Sequence, residues 1–221
     1  LDEDVLENKT YMTAEEQIDA VFRQVTLMMR STNHIYDDLM DELERQQIRL
    51  INFQMTTEAE EKDLQLYFEH EMLPLLSAFV VGKKQSFPFL NNKAIYALAV
   101  LETKNDKNKI GIVPCNTGVF NRLISIPGRK GTYILAEELI LHYLPIVFPN
   151  YRSGEKSLIR ITRNADIDAD SIYDEDLDYR EHMVDIIKRS KKLIPLRLEE
   201  PRKIDGPFLD RLCTQLGIER T

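Results

Sequence analysis

The stretch that most constrains the fold is residues 86–101, SFPFLNNKAIYALAVL. Pro88 fixes its own φ and pushes Phe87 toward extended backbone. Asn91-Asn92 follows, and Asn tolerates turn dihedrals that other residues resist. From Ile95 to Leu101 nearly every position is apolar, so a strand there needs cover on both faces. These residues predict the central strand of a doubly covered sheet. They specify a domain and no chemistry.

The rest of the chain supplies candidate cover. Thr13-Ala14-Glu15-Glu16 is a capping box that starts a helix. Ile18, Val21, Phe22, Val25, Met28, Met29, Ile35, Tyr36, Leu39, Met40 and Leu43 then recur at three- and four-residue steps. A helix continuous over 13–46 is about 50 Å long at 1.5 Å per residue. It either bends at the weak helix formers Ser31-Thr32-Asn33 or projects and packs on another surface. A second capping box, Thr57-Glu58-Ala59-Glu60, opens a helix with Leu64, Tyr67, Phe68, Met72 and Leu75 inward, which Pro74 should break or kink.

Strands are predicted at 48–52, 110–113, 119–126, 132–135, 158–163 and 194–199, the second returning antiparallel beside the central strand after a polar turn at Asn105-Asp106. Helices are predicted over 136–148, with Pro145 disturbing the last turn, and from Glu175 to about Lys191. A final helix has Pro207 at its first position and Gly217 just past its end. The fold class is α+β: long N-terminal helices, then a mostly antiparallel or mixed sheet with interspersed helices.

Twenty-nine basic against 37 acidic side chains leave a net charge of −8. Such a balance argues against a surface that coats nucleic acid or anionic lipid, while leaving room for a local basic groove. Cys115 and Cys213 match no metal spacing and read as reduced thiols of a cytoplasmic protein. No apolar run approaches the roughly 20 residues that cross a bilayer. The acidic opening LDEDVLENKT is not a signal peptide. It lacks an initiator Met, and the chain stops at Gly217-Ile218-Glu219-Arg220-Thr221 where an extended segment starts. Both ends read as cut from something longer.

Each histidine keeps acidic company: His34 with Asp37 and Asp38, His70 with Glu69 and Glu71, His142 with Glu138, and His182 with Asp178 and Asp185. A histidine that attacks a nucleotide phosphate needs cations or backbone amides around the incoming group. None has a basic cluster beside it in sequence, so all four read as surface or structural. Between Asp166 and Asp178 seven of thirteen residues are acidic, but Ser171 and Leu177 stand where a calcium loop needs Gly and a bidentate Glu. Gly128-Arg129-Lys130-Gly131 is too short for a nucleotide-binding loop and reads as a charged hairpin turn. No G-x-S-x-G, H-E-x-x-H or paired C-x-x-C occurs. No catalytic, cofactor-binding or metal residue is assigned.

Three segments carry a resemblance: Phe87-Pro88-Phe89-Leu90-Asn91-Asn92-Lys93, Phe120-Asn121-Arg122-Leu123 followed by Pro127-Gly128, and Arg160-Ile161-Thr162-Arg163-Asn164-Ala165-Asp166. With Gln46-Gln47-Ile48-Arg49-Leu50 and Leu73-Pro74-Leu75-Leu76 in the same order, the chain resembles the middle (head) domain of bacterial polyphosphate kinase over residues 11–221. The resemblance makes residues 1–10 the tail of a preceding domain and implies C-terminal catalytic domains beyond this chain. It implies a parent enzyme, cytoplasmic and homo-oligomeric, that transfers the terminal phosphate of ATP reversibly to polyphosphate through a phosphohistidine, with Mg and ATP as the parent's cofactors. The phosphorylated histidine and its arginines belong to the C-terminal domains in that family and have no match here. This fragment is then non-catalytic, binds neither cofactor itself, and serves dimer contact and tunnel shaping; polyphosphate is a partner only of the full-length protein. The rival reading is a protein–protein interaction module built on the long amphipathic helix. A metal hydrolase using the 166–178 cluster is a third.

Overall fold

The computed structural model describes residues 6, 9–82, 85, 87–103, 109–115, 118–163, 194–201 and 204–218. The acidic cluster at 166–178, His182, the helix expected near 175–191 and the turn at Asn105-Asp106 lie outside them. The chain divides into two compact units, Leu1–Leu50 with Gly131–Tyr133, and Ile51–Lys130 with Ile134–Thr221.

The first unit is built on α1, Ala14–Arg45, a single 32-residue helix. Its capping box forms as the sequence predicts: Glu16 N–H donates to Thr13 Oγ1 at 3.2 Å, and Thr13 N–H to Glu16 Oε2 at 2.8 Å. The weak patch at Ser31-Thr32-Asn33 does not end it; the Thr32 hydroxyl donates to Met28 O at 2.9 Å inside the helix. The C-terminus closes with Gln47 N–H on Glu44 O and Ile48 N–H on Leu43 O, each 2.9 Å. This bond pair needs a left-handed residue, and Gln47 supplies it at φ 62. β1, Arg49–Leu50, then pairs parallel with β6, Thr132–Leu135, through Arg49↔Thr132 and Leu50↔Tyr133. Gly131 cannot be replaced cheaply, since a Cβ there would sit 2.3 Å from Gln47 O.

The second unit holds a five-stranded antiparallel sheet in the order β2-β4-β3-β7-β8. The strands are β2 Phe79–Val81, β3 Ile95–Glu102, β4 Lys109–Pro114, β7 Arg152–Arg163 and β8 Pro195–Glu199. β3 is the central strand, as its composition requires. Ala97, Ala99 and Leu101 face a core shared with Leu64, Phe68, Met72, Leu139 and Leu144. Those residues come from α2 (Glu58–Tyr67), the wide turn Phe68–Met72, α3 (Ala136–His142) and α4 (Leu144–Val147). Tyr96 and Leu98 face the other core, with Ile112, Ile159 and Ile161 and, from α5 (Gly206–Leu216), Phe208 and Leu212.

Several boundaries differ from the sequence reading. Helix α2 passes into a wide turn and then a tight one, because Pro74 has no N–H for the carbonyl four residues back. Pro145 splits the helix expected over 136–148 into α3 and α4. β7 starts six residues before the expected 158, at Arg152, because the whole length of β3 offers it partners despite its polar composition. β5 shrinks to Leu123–Ser125. In α5 Pro207 is the second residue, and Gly217 forms the left-handed cap at φ 67, with Ile218 N–H on Cys213 O at 3.0 Å.

Candidate functional site

Two of the segments that carry the resemblance, 87–93 and the described residues 160–163, meet at the end of β7. Arg163, 8% exposed at the end of β7, donates from Nε to Leu90 O at 2.9 Å and lies over the Phe89 ring at 4.0 Å. Its backbone N–H donates to Asn92 Oδ1 at 2.9 Å, and Lys93 N–H donates to Ile161 O at 2.7 Å. Asn91 N–H donates to the Tyr96 hydroxyl at 2.8 Å. Burial holds the Arg163 guanidinium below its ordinary value, partly offset by Tyr96. The rings and carbonyl of 87–93 are therefore pinned on β7 by an arginine committed to structure.

Arg122 and Arg160 each meet a carboxylate of another element. Arg122 O accepts the N–H of Ala136, the first residue of α3, at 2.8 Å. This places the Arg122 guanidinium against Glu137, whose Oε1 accepts from Nε at 2.8 Å and Nη2 at 2.5 Å. Glu137 is 4% exposed, so it serves this bond rather than only the helix dipole. Arg160, opposite Ile95 on one side and Glu199 on the other, donates to both Glu199 oxygens at 2.5 and 3.0 Å. Arg197 reaches the same carboxylate at 2.9 Å. The hydrogen bond from the Arg160 guanidinium, working against burial and helped by the charge of Arg197, holds the Glu199 carboxyl below the ordinary carboxylate range. The side chains of Arg122, Arg160 and Arg197 stay 63, 50 and 47% exposed.

The histidines are dispersed. His34 lies on α1 with Asp38 at 3.6 Å, and His70 is exposed in the wide turn after α2. His142, at the end of α3, has a setting the sequence did not reveal. Its ring stacks on Phe53 at 3.7 Å and 12°, with Tyr143 edge-on to both, and Lys156 Nζ donates to its carbonyl at 3.1 Å. Burial, then Lys156, pushes the His142 imidazole down, against an upward pull from Glu61. Beside it opens a cavity of about 720 Å³ lined by Phe53, Glu61, Glu138, His142 and Lys156 among others.

The turn Gly128-Arg129-Lys130-Gly131 is clamped: Arg129 donates to Met55 O at 3.2 Å and pairs with Glu60 at 3.6 Å. Cys115 and Cys213 are buried free thiols. Burial, then the nearby Glu137 charge, pushes Cys115 up to about 12, so it is inert as a nucleophile at neutral pH. Among the described residues no three or more His, Cys, Asp or Glu stand together as a metal site. No described helix is long and apolar enough to cross a membrane.

Sequence reasoning quoted Arg122 and Arg160 within motifs without assigning their partners. These lie 15 and 39 residues away, and no local pattern points to them.

An α+β domain is the class the fold defines. A sequence model of the polyphosphate kinase middle domain matches residues 59–221, and the chain belongs to that family. It is 26% identical over 213 residues to a polyphosphate kinase of Lactiplantibacillus plantarum, covering 95% of this chain and 29% of the relative. It is 28% identical over 217 residues to that of Staphylococcus epidermidis, covering 96 and 29%. The crystal structure of polyphosphate kinase from Porphyromonas gingivalis shares the fold, with a TM-score of 0.68 at 20% identity over 93% of this chain and 29% of that one. The chain thus spans about 29% of the length of these relatives.

Proposed function

We propose that this chain is the non-catalytic head domain of an enzyme that moves the terminal phosphate of ATP reversibly onto inorganic polyphosphate. The observation that carries the reading is the family match over residues 59–221, joined to relatives named polyphosphate kinase. In this reading an imidazole elsewhere in the parent forms a bond to the γ-phosphorus as the bond to the ADP oxygen breaks. The terminal oxygen of the polymer then takes the phosphoryl group and frees the imidazole. Magnesium would screen phosphate charge in the parent; the described residues here do not fit a site for it, and no step is assigned through it.

The surroundings of the described histidines support a non-catalytic role. His34 and His70 are exposed among acidic side chains, and His142 is stacked on Phe53. Residues 1–10 would end a preceding domain, with the catalytic domains following, in a cytoplasmic parent. Helix α1 supports a role in homo-oligomer contact: none of its residues is buried, and Phe22, Met28, Ile35 and Leu39 are all more than half exposed. That face also suits an interaction module unrelated to phosphate, which would dock without any polyphosphate chemistry.

The test is polyphosphate synthesis from ATP and magnesium. The complete polypeptide should elongate the polymer and scatter light as an oligomer, while this chain alone makes none. Synthesis by the chain alone would contradict the non-catalytic role, and no synthesis by the complete polypeptide would contradict the enzyme.

A further inference from the structure

We propose that the trough between α2 and the free edge of β5 is a docking site for an extended peptide segment of a separate protein, one that carries Lys or Arg at two positions four residues apart. Such docking needs no phosphate chemistry, so it stands or falls separately from the enzyme reading.

Strand β5, Leu123–Ser125, ends the order β1-β6-β5, so β6 lies on one side of it and no described strand on the other. An edge strand presents unpaired N–H and C=O groups that can take another strand. A cavity of about 280 Å³ lies along it, lined by Leu123, Ile124 and Ser125 together with Asp63 and Tyr67 of α2. Successive strand side chains point to opposite faces, so a cavity that touches all three residues meets the strand along its edge. Tyr67 and Asn121 also line a second cavity of about 310 Å³, which carries the trough on past Glu71, Leu75 and Phe120. A helix on one wall and a strand edge on the other is a geometry in which a peptide adds as an extra strand.

The helix wall sets the chemistry of what docks. Asp63, Tyr67 and Glu71 recur every four residues along α2 and the wide turn after it, so they lie on one side. Among the described residues neither carboxylate is held in an ion pair. From Glu58 to Met72 the chain carries six carboxylates against the single ammonium of Lys62. That field favours a basic segment and repels an acidic one. Asp63 and Glu71 stand two turns apart, about 12 Å at 1.5 Å per residue. Side chains four apart on an extended peptide span about 13 Å on one face. Two basic side chains at that spacing reach both carboxylates, and the residue midway lies over Tyr67.

The probe is a fluorescein-labelled peptide, Gly-Lys-Thr-Val-Thr-Lys-Gly, titrated with the complete polypeptide and read by anisotropy. Replacing both of its lysines by Glu should weaken binding about tenfold, equivalent to about 1.4 kcal/mol. In strand pairing only alternate residues turn their N–H and C=O toward the neighbouring edge. N-methylation of one alternate set of peptide residues should therefore weaken binding, while N-methylation of the other set leaves it unchanged. Asp63→Asn combined with Glu71→Gln should weaken binding about fivefold, as two partly solvated ion pairs are lost. Glu58→Gln, exposed on α2 but outside the trough, should leave it unmoved. No binding by the complete polypeptide, including the case in which its own chain fills the trough, overturns docking of a separate partner. Equal loss from both N-methylated sets, or loss from neither, overturns strand addition. An effect of Glu58→Gln as large as that of the double variant overturns the trough as the site.

Discussion

Helix α1 and strand β3 are both written in long apolar periodicities, yet their fates are opposite. Of the eight residues of β3, Tyr96, Ala97, Leu98, Ala99 and Leu101 are buried, with helices packed on both faces of its sheet. Of the 32 residues of α1 none is buried. The difference teaches that periodicity identifies a face to be covered and is silent on what covers it. A strand flanked on both sides by hydrogen-bonded neighbours finds cover within its own unit. A helix about 48 Å long at 1.5 Å per residue outruns what one unit can offer.

That contrast can be broken by mutation. Leu98→Ala, at a fully buried position, should cost about 2–5 kcal/mol, read as a lowered denaturant midpoint. Gly131→Ala should cost about 1–3 kcal/mol, because its Cβ meets backbone at Gln47 and both residues need left-handed dihedrals; melting of the α1 circular dichroism signal would report it. Phe22→Ser with Met28→Ser should change the stability of this chain by no more than about 0.5 kcal/mol per site, since both side chains already face solvent. The same pair should lower the scattering mass of the complete polypeptide. A large stability loss from the α1 pair would erase the distinction between the two regions.

The smallest expected effect is one of pH. Burial, then Lys156, places the folded His142 value below its ordinary 6.5. The unfolded chain therefore takes up its proton at higher pH than the folded chain does. Stability from the neutral stacked ring is full above the ordinary value and is lost as the pH falls through it toward the folded value. His142→Phe keeps an aromatic stack on Phe53 and removes the titration. Its stability should gain on the wild type between about pH 7.5 and 5.5, as measured by urea unfolding.

Much of the fold was legible from local physics. The two Thr capping boxes, the central strand, the break at Pro74 and the Gly217 cap each depend on residues within a few positions of one another. What escaped depends on distant partners. β7 begins at Arg152 because β3 extends there, and the α5 N-terminus is capped by Glu155, which accepts from Asp205 N–H at 2.5 Å. The pairs made by Arg122 and Arg160 escaped for the same reason. Glu137 and Glu199 reach Arg122 and Arg160 only once α3 and β8 are packed. Lys156 beside His142 is a cation that no sequence window around the histidine contains.

On the proposed function, this chain supplies structure and contacts while phosphoryl transfer happens elsewhere in the complete polypeptide. The direct measurement is incubation of the 221-residue chain with γ-labelled ATP and magnesium, followed by assay for acid-labile phosphate on protein. The account predicts none on this chain and stoichiometric label on the complete polypeptide. Stoichiometric, acid-labile label on His34, His70 or His142 of the chain alone would contradict it.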